Sequence, residues 1–153
     1  HHLLEDVAGI VAEFDLPRGA FELELTESVL MVNAESTIEQ MRRVAQLGVG
    51  IAVDDFGTGY SSLSYLKRLP IQRLKIDRSF VRGLGADPDD EAICASIILL
   101  ASSLGLDTVA EGVETAAQRD WLAEHGGGEL QGYLLGRPAP FDDVLAGMVA
   151  RRA

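Results

Sequence analysis

Hydrophobic and polar positions along this chain change their period repeatedly, and each change marks an element. Residues 2–14 carry Leu3, Leu4, Val7, Ile10 and Val11 at helical spacing. "FELEL" at 21–25 alternates and predicts a strand, with Glu22 and Glu24 on one face and Leu23 and Leu25 on the other. Residues 34–47 return to helical spacing through Ile38, Met41, Val44 and Ala45, and Gly48 ends that helix. "VGIAV" at 49–53 is almost wholly apolar, as a parallel strand covered on both faces must be. A short helix over 61–68 stops ahead of Pro70. "RLKI" at 73–76 is the next strand; Arg73, Lys75 and Asp77 share a face opposite Leu74 and Ile76.

The second half has clearer punctuation. Asp87 is a natural N-cap, Pro88 suits the first helical position, acids fill the first turn, and Gly105 closes the helix. A strand over 107–111 follows. "TAAQ" at 115–118 has the form of a capping box and opens a helix to about Glu124. "GELQGYL" at 128–134 predicts a short strand, and residues 141–151 a last helix. A helix followed by repeated strand–helix units, with about five strands, predicts an α/β fold with a parallel sheet and right-handed crossovers. At 153 residues, with no linker or low-complexity tract, one domain is expected.

Polar groups recur where the predicted strands end. The first strand has Glu24, Thr26 and Glu27; the second Asp54 and Asp55; the third Lys75 and Asp77; the fourth Glu111; the fifth Gln131. Parallel α/β folds assemble their sites at that edge of the sheet. Each acid taken alone reads as a helix cap or a solvated turn. Several helices have other cap candidates, so all five strand ends together read as a site. Crowded carboxylates call for a cation, and the ligands on offer are hard oxygens. His1, His2 and His125 do not fall at strand ends, so Mg²⁺ or Mn²⁺ is expected rather than zinc or copper. Adjacent Asp54 and Asp55 suit two ions with Asp54 bridging, the usual clamp for phosphoryl-ester hydrolysis. Lys75 either neutralises the acids or, beside divalent ions, takes a proton from a bound water. Gly57 and Gly59 in "FGTGYSS" permit a tight turn that positions a metal or forms an ordinary loop. Ser62 holds the third glycine position of a dinucleotide fingerprint, so that reading is weak.

Composition narrows the partners. A net charge of −11 excludes the basic face that nonspecific nucleic-acid or membrane-surface binding requires. Cys94 stands alone, so no disulfide forms within the chain. The uncharged run between Glu91 and Asp107 is short of a membrane span, and the start lacks a basic-then-apolar leader. His1 and His2 receive no role.

"ELTES" (24–28), "DDFGTGYSSL" (54–63), "LKID" (74–77), "AEGVET" (110–115) and "QGYLLGRP" (131–138) resemble, in order and spacing, the signature segments of the EAL-type cyclic-di-GMP phosphodiesterases. The resemblance implies a TIM-barrel-like (β/α) fold and Mg²⁺- or Mn²⁺-dependent hydrolysis of cyclic-di-GMP to linear pGpG. It implies that Glu24, Asp54, Asp55 and Glu111 are metal-site acids and that Lys75 holds the nucleophilic water. Gln131 belongs to the same pocket. Glu27 and Glu114 steady the Asp54–Leu63 loop, and Asp77 and Tyr133 touch a guanine. It further implies a cytoplasmic enzyme, a homodimer, and a sensory or GGDEF-type domain upstream.

One departure bears on activity. The Glu-Ala-Leu strand that names the family and the next strand's Asn ligand are absent; "EAI" at 91–93 begins a helix and stands out of order. A complete barrel takes roughly 250 residues, so this chain reads as a partial EAL domain, a partial barrel of about five strands. Alone it is expected to be inactive or nearly so and to expose a sheet edge that favours self-association. The alternative is a catalytically inactive module that binds cyclic-di-GMP or a protein partner.

Overall fold

The computed structural model describes residues 2–31, 33–59 and 63–150. Its strands are β1 (Glu22–Thr26), β2 (Gly50–Phe56), β3 (Arg73–Ile76), β4 (Asp107–Ala110) and β5 (Glu129–Leu130). They form one parallel sheet in the order β1-β2-β3-β4-β5, so each strand pairs with its successor in the chain. That sequential order is the order of barrel staves, and here the row of staves is open, with β1 and β5 at its edges. The fold is therefore α/β and partial-TIM-barrel-like, as the strand–helix alternation implied.

The helices are α1 (Leu3–Glu13), α2 (Glu27–Met31), α3 (Ala34–Gln46), α4 (Leu63–Leu66), α5 (Arg78–Gly83), α6 (Pro88–Leu104), α7 (Ala116–Glu124) and α8 (Phe141–Ala150). The core lies between sheet and helices. Ile51 and Val53 of β2, Leu74 and Ile76 of β3, Met41 and Val44 of α3, Cys94 and Ala101 of α6 and Leu122 of α7 are all buried in one cluster. The expected caps form. Asp87 accepts from the Asp89 N–H at 2.9 Å, Gly105 closes α6 at φ 69°, and Thr115 and Gln118 cap each other's backbone at 3.2 and 2.9 Å.

The structure corrects several boundaries. β2 continues to Phe56, beyond the apolar run, because Asp54 still pairs with Thr26 of β1 and Phe56 with Ile76 of β3. The strand expected over 128–134 contracts to Glu129–Leu130. Gly132 sits against the Val113 backbone, where a Cβ would come within 2.2 Å of the Val113 carbonyl oxygen, and the Leu135 N–H turns back to Gly132. The helix expected over 61–68 is described only as Leu63–Leu66; Ser61 and Ser62 lie outside the described residues, as do Tyr60, His1 and Arg151. The one- and two-turn helices α2 and α5 were not anticipated, being too short to show a helical period.

Candidate active site

Lys75 organises the carboxyl ends of the strands. It points from the middle strand into the concave face and is 6% exposed. Its Nζ lies 2.7 Å from Glu111 Oε1, 2.8 Å from Glu24 Oε1 and 3.0 Å from Asp54 Oδ1. One ammonium thus gathers acids from β1, from β2 and from the residue just past β4. Burial pulls its pKa down, but the bonds to Glu111, Glu24 and Asp54 more than reverse this and hold it above the ordinary lysine value. With only carboxylates around it, Lys75 is a firm ammonium; the amine form expected beside divalent ions requires those ions.

Asp54 and Asp55 raise a geometric question, because neighbours in a regular strand point to opposite faces. The ladder answers it. Val53 pairs with Leu74 and Phe56 with Ile76, so β2 spends three steps where β3 spends two. The bulge places Asp55 at φ 53°, the left-handed region that aspartate tolerates better than most residues. Ligand atoms of Asp54, Asp55 and Glu111 consequently lie within 4.8 Å of one another. Burial raises the Asp55 pKa, and the Asp54 and Asp77 charges raise it further.

These residues fit a hard divalent ion. The donors are all carboxylate oxygens within one ion's reach. The buried Asp54 Oδ1 has no aligned hydrogen-bond donor despite its ion pair with Lys75, which leaves a lone pair free for coordination.

Glu27 controls the following loop. It opens α2, is buried, and its Oε2 accepts from the Gly57 and Gly59 N–H groups at 3.1 Å each. Both glycines are needed. Gly57 lies at φ 100°, and a Cβ there would meet Phe80 and Ile97 at 3.0 and 3.1 Å; a Cβ on Gly59 would stand 3.0 Å from Glu27 Cδ. Thr58 adds its hydroxyl to the Asp55 carbonyl at 2.8 Å.

The remaining expected residues are placed differently. The Asp77 carboxylate caps α5, accepting from the Ser79 N–H at 2.9 Å and from the Ser79 hydroxyl. Gln131 is exposed just beyond β5, joined to β4 through its N–H to Ala110 O at 2.9 Å. Tyr133 is exposed with the Arg137 guanidinium 4.4 Å above its ring centre. Glu114 is exposed and lines a cleft with Arg78, Ser79, Arg82, Gly112 and Gln118; the loop it was expected to steady includes Tyr60–Ser62.

A second charged layer lies beneath Lys75. Arg73 reaches Glu22 on β1 at 3.2 Å and Glu129 on β5 at 3.0 Å. The shared parity of Arg73 and Lys75 signalled that Arg73 faces inward, but its partners on the two edge strands are visible only in the fold.

Comparison with known proteins places this geometry. A family model described as EAL domain matches residues 1–138. The bifunctional diguanylate cyclase/cyclic di-GMP phosphodiesterase MucR of Pseudomonas aeruginosa is 47% identical over 94% of this chain and 21% of its own length. The solved cyclic-di-GMP complex of the MucR phosphodiesterase superposes with a TM-score of 0.90 at 46% identity, covering 94% of this chain and 58% of that one. A manganese and cyclic-di-GMP complex of Klebsiella pneumoniae BlrP1 matches with a TM-score of 0.81 at 31% identity, over 89% of this chain and 35% of that one. The chain thus spans about a fifth of the curated relative and somewhat over half of the solved MucR chain.

Proposed function

We propose that this chain, which belongs to the EAL domain family, supplies most of the catalytic rim of a cyclic-di-GMP phosphodiesterase, cleaving one phosphodiester to give linear pGpG. The observation that carries this reading is the convergence of Glu24, Asp54 and Glu111 on Lys75, with Asp55 folded into the same cluster by the bulge. The manganese and cyclic-di-GMP complex of the BlrP1 relative supports it.

In this reading Glu24, Asp54, Asp55 and Glu111 would hold the Mg²⁺ or Mn²⁺ ions. Bound there, the ions supply neutralisation of the phosphodiester oxygens and acidification of a water. Lys75 orients that water and balances the carboxylate charge. Glu27 fixes the loop after β2, so that Asp55 stays turned inward. Gln131 and Tyr133 line the substrate side of the rim, and Glu114 steadies the loop. The anionic substrate approaches a protein of net charge −11 because the ions change the local sign.

The missing Glu-Ala-Leu strand and its neighbour would complete the ligand set, so this chain alone is inactive or nearly so. The surrounding protein is cytoplasmic, pairs as a homodimer and carries a sensory or GGDEF-type domain upstream. Among the described residues, no helix is long and apolar enough to cross a membrane.

The test is cyclic-di-GMP hydrolysis with Mn²⁺ in the complete domain, compared with Asp54→Ala and Lys75→Ala. Each substitution should lower kcat at least about a hundredfold; unchanged rates would end the assignment. Cyclic-di-GMP binding without turnover in the complete domain would select the alternative, a receptor module.

A further inference from the structure

Arg78 and Arg82 stand one turn apart on α5, and both are exposed. They line a cleft of about 560 Å³ together with Ser79, Gly112, Glu114 and Gln118. Among the described residues, the guanidiniums of Arg68, Arg73 and Arg119 each meet a carboxylate, whereas those of Arg78 and Arg82 form no ion pair. In a chain of net charge −11, two unneutralised cations in one cleft reverse the sign locally.

The walls of this cleft are tied together. Gln118 is buried; its Oε1 accepts from the Glu114 and Thr115 N–H groups at 2.8 and 2.9 Å, and its Nε2 donates to the Arg82 carbonyl at 3.4 Å. The head of α7 is thereby joined to α5. Gly112, at φ 69°, lies against the root of the Arg78 side chain, where a Cβ would stand 2.7 Å from Arg78 Cβ. Arg78 and Gly112 directly follow Asp77 and Glu111 in the chain, so the cleft adjoins the rim, yet none of Glu24, Asp54, Asp55, Lys75 and Glu111 lines it.

We propose that the cleft binds a phosphomonoester, the terminal phosphate of the linear dinucleotide product. The assignment rests on the phosphodiesterase reading above. A cyclic dinucleotide carries only phosphodiesters, with roughly one negative charge each. Hydrolysis leaves a terminal phosphate of about −1.5 to −2 at neutral pH. Two guanidiniums match that charge and offer paired N–H donors to its oxygens. Glu114, the acid that lines the cleft, comes from beyond β4 and repels an anion, which leaves the α5 wall as the phosphate's seat. The cleft thus sorts product from substrate by charge, beside the place where the bond is cut.

The experiment is an amide chemical-shift titration of this chain in EDTA with pGpG, inorganic phosphate and cyclic-di-GMP. Phosphate and pGpG should shift the Ser79, Gly112 and Gln118 amides saturably, pGpG with a Kd on the order of 1 mM or tighter; cyclic-di-GMP should not. Arg78→Gln and Arg82→Gln, which keep most of the stem, should each weaken pGpG about tenfold, and Glu114→Gln should tighten it. Arg68→Ala removes an arginine elsewhere and should change nothing. No saturable shift with pGpG, an equal loss in Arg68→Ala, or equal binding of cyclic-di-GMP would overturn the proposal. Binding of phosphate without pGpG would overturn its product assignment. The assay is metal-free and needs no turnover, so it fails separately from the hydrolysis test above.

Discussion

Arg73 Nη2 lies 3.0 Å from Glu129 Oε1, joining the middle strand of the sheet to its far edge. The other arm of the same guanidinium reaches Glu22 on the opposite edge. Arg73→Ala should destabilise the chain by about 1–2 kcal/mol, since both contacts are charge-assisted and the one to Glu22 is part-buried. Urea unfolding measures this, and a change within experimental error would show that the two edges are held by the backbone ladder alone.

Lys75→Ala leaves three carboxylates without their shared ammonium. In metal-free buffer the variant should lose about 3 kcal/mol. Added Mn²⁺ should then raise its melting temperature more than it raises that of the unsubstituted chain, because the ion takes over the neutralising task. Equal shifts in both proteins would contradict the shared charge balance.

Glu27→Ala frees the Gly57 and Gly59 N–H groups. Amide hydrogen exchange at those two positions should accelerate, while β3 keeps its protection. Gly57→Ala tests the same loop from the backbone side: its φ of 100° and the contacts with Phe80 and Ile97 predict a loss of about 1–3 kcal/mol. A neutral Gly57→Ala would show that the loop rebuilds without its turn.

Cys94 is fully buried in α6, and burial, with the nearby Asp90 charge adding to it, pushes its thiol pKa up to about 12. Thiolate is the reactive form, so its fraction at neutral to mildly basic pH is minute. Iodoacetamide should leave the native chain unmodified and alkylate it fully in denaturant. Rapid native labelling would mean that α6 opens readily.

The legible parts of the molecule were those governed by local chemistry. Asp87, Gly105 and the Thr115–Gln118 pair announced the ends of α6 and α7 because capping needs only neighbouring residues. Strand parity put Glu24 and Lys75 on one face, and so exposed the site. What escaped depends on distant partners or on very short elements. The bulge at Asp55 has no local marker, since its register is set by β3. One or two turns of helix at α2 and α5 cannot display a period. The second donor on Asp77 was present in the "DRS" of residues 77–79, but the reading as a strand-end ligand masked the reading as a cap.

The extra residue in β2 also makes the site sensitive to chain length in a way that substitutions would not reveal. Removing one residue between Val53 and Phe56 would heal the ladder, and the repaired strand would be the more regular one. Only Asp54 and Asp55 stand between those two residues, so the deletion would also remove one of the two acids and leave the other alone opposite Lys75. A deletion that perfects the architecture would thus silence the chemistry, and a deletion scan across these few positions would separate folding from function with a single codon.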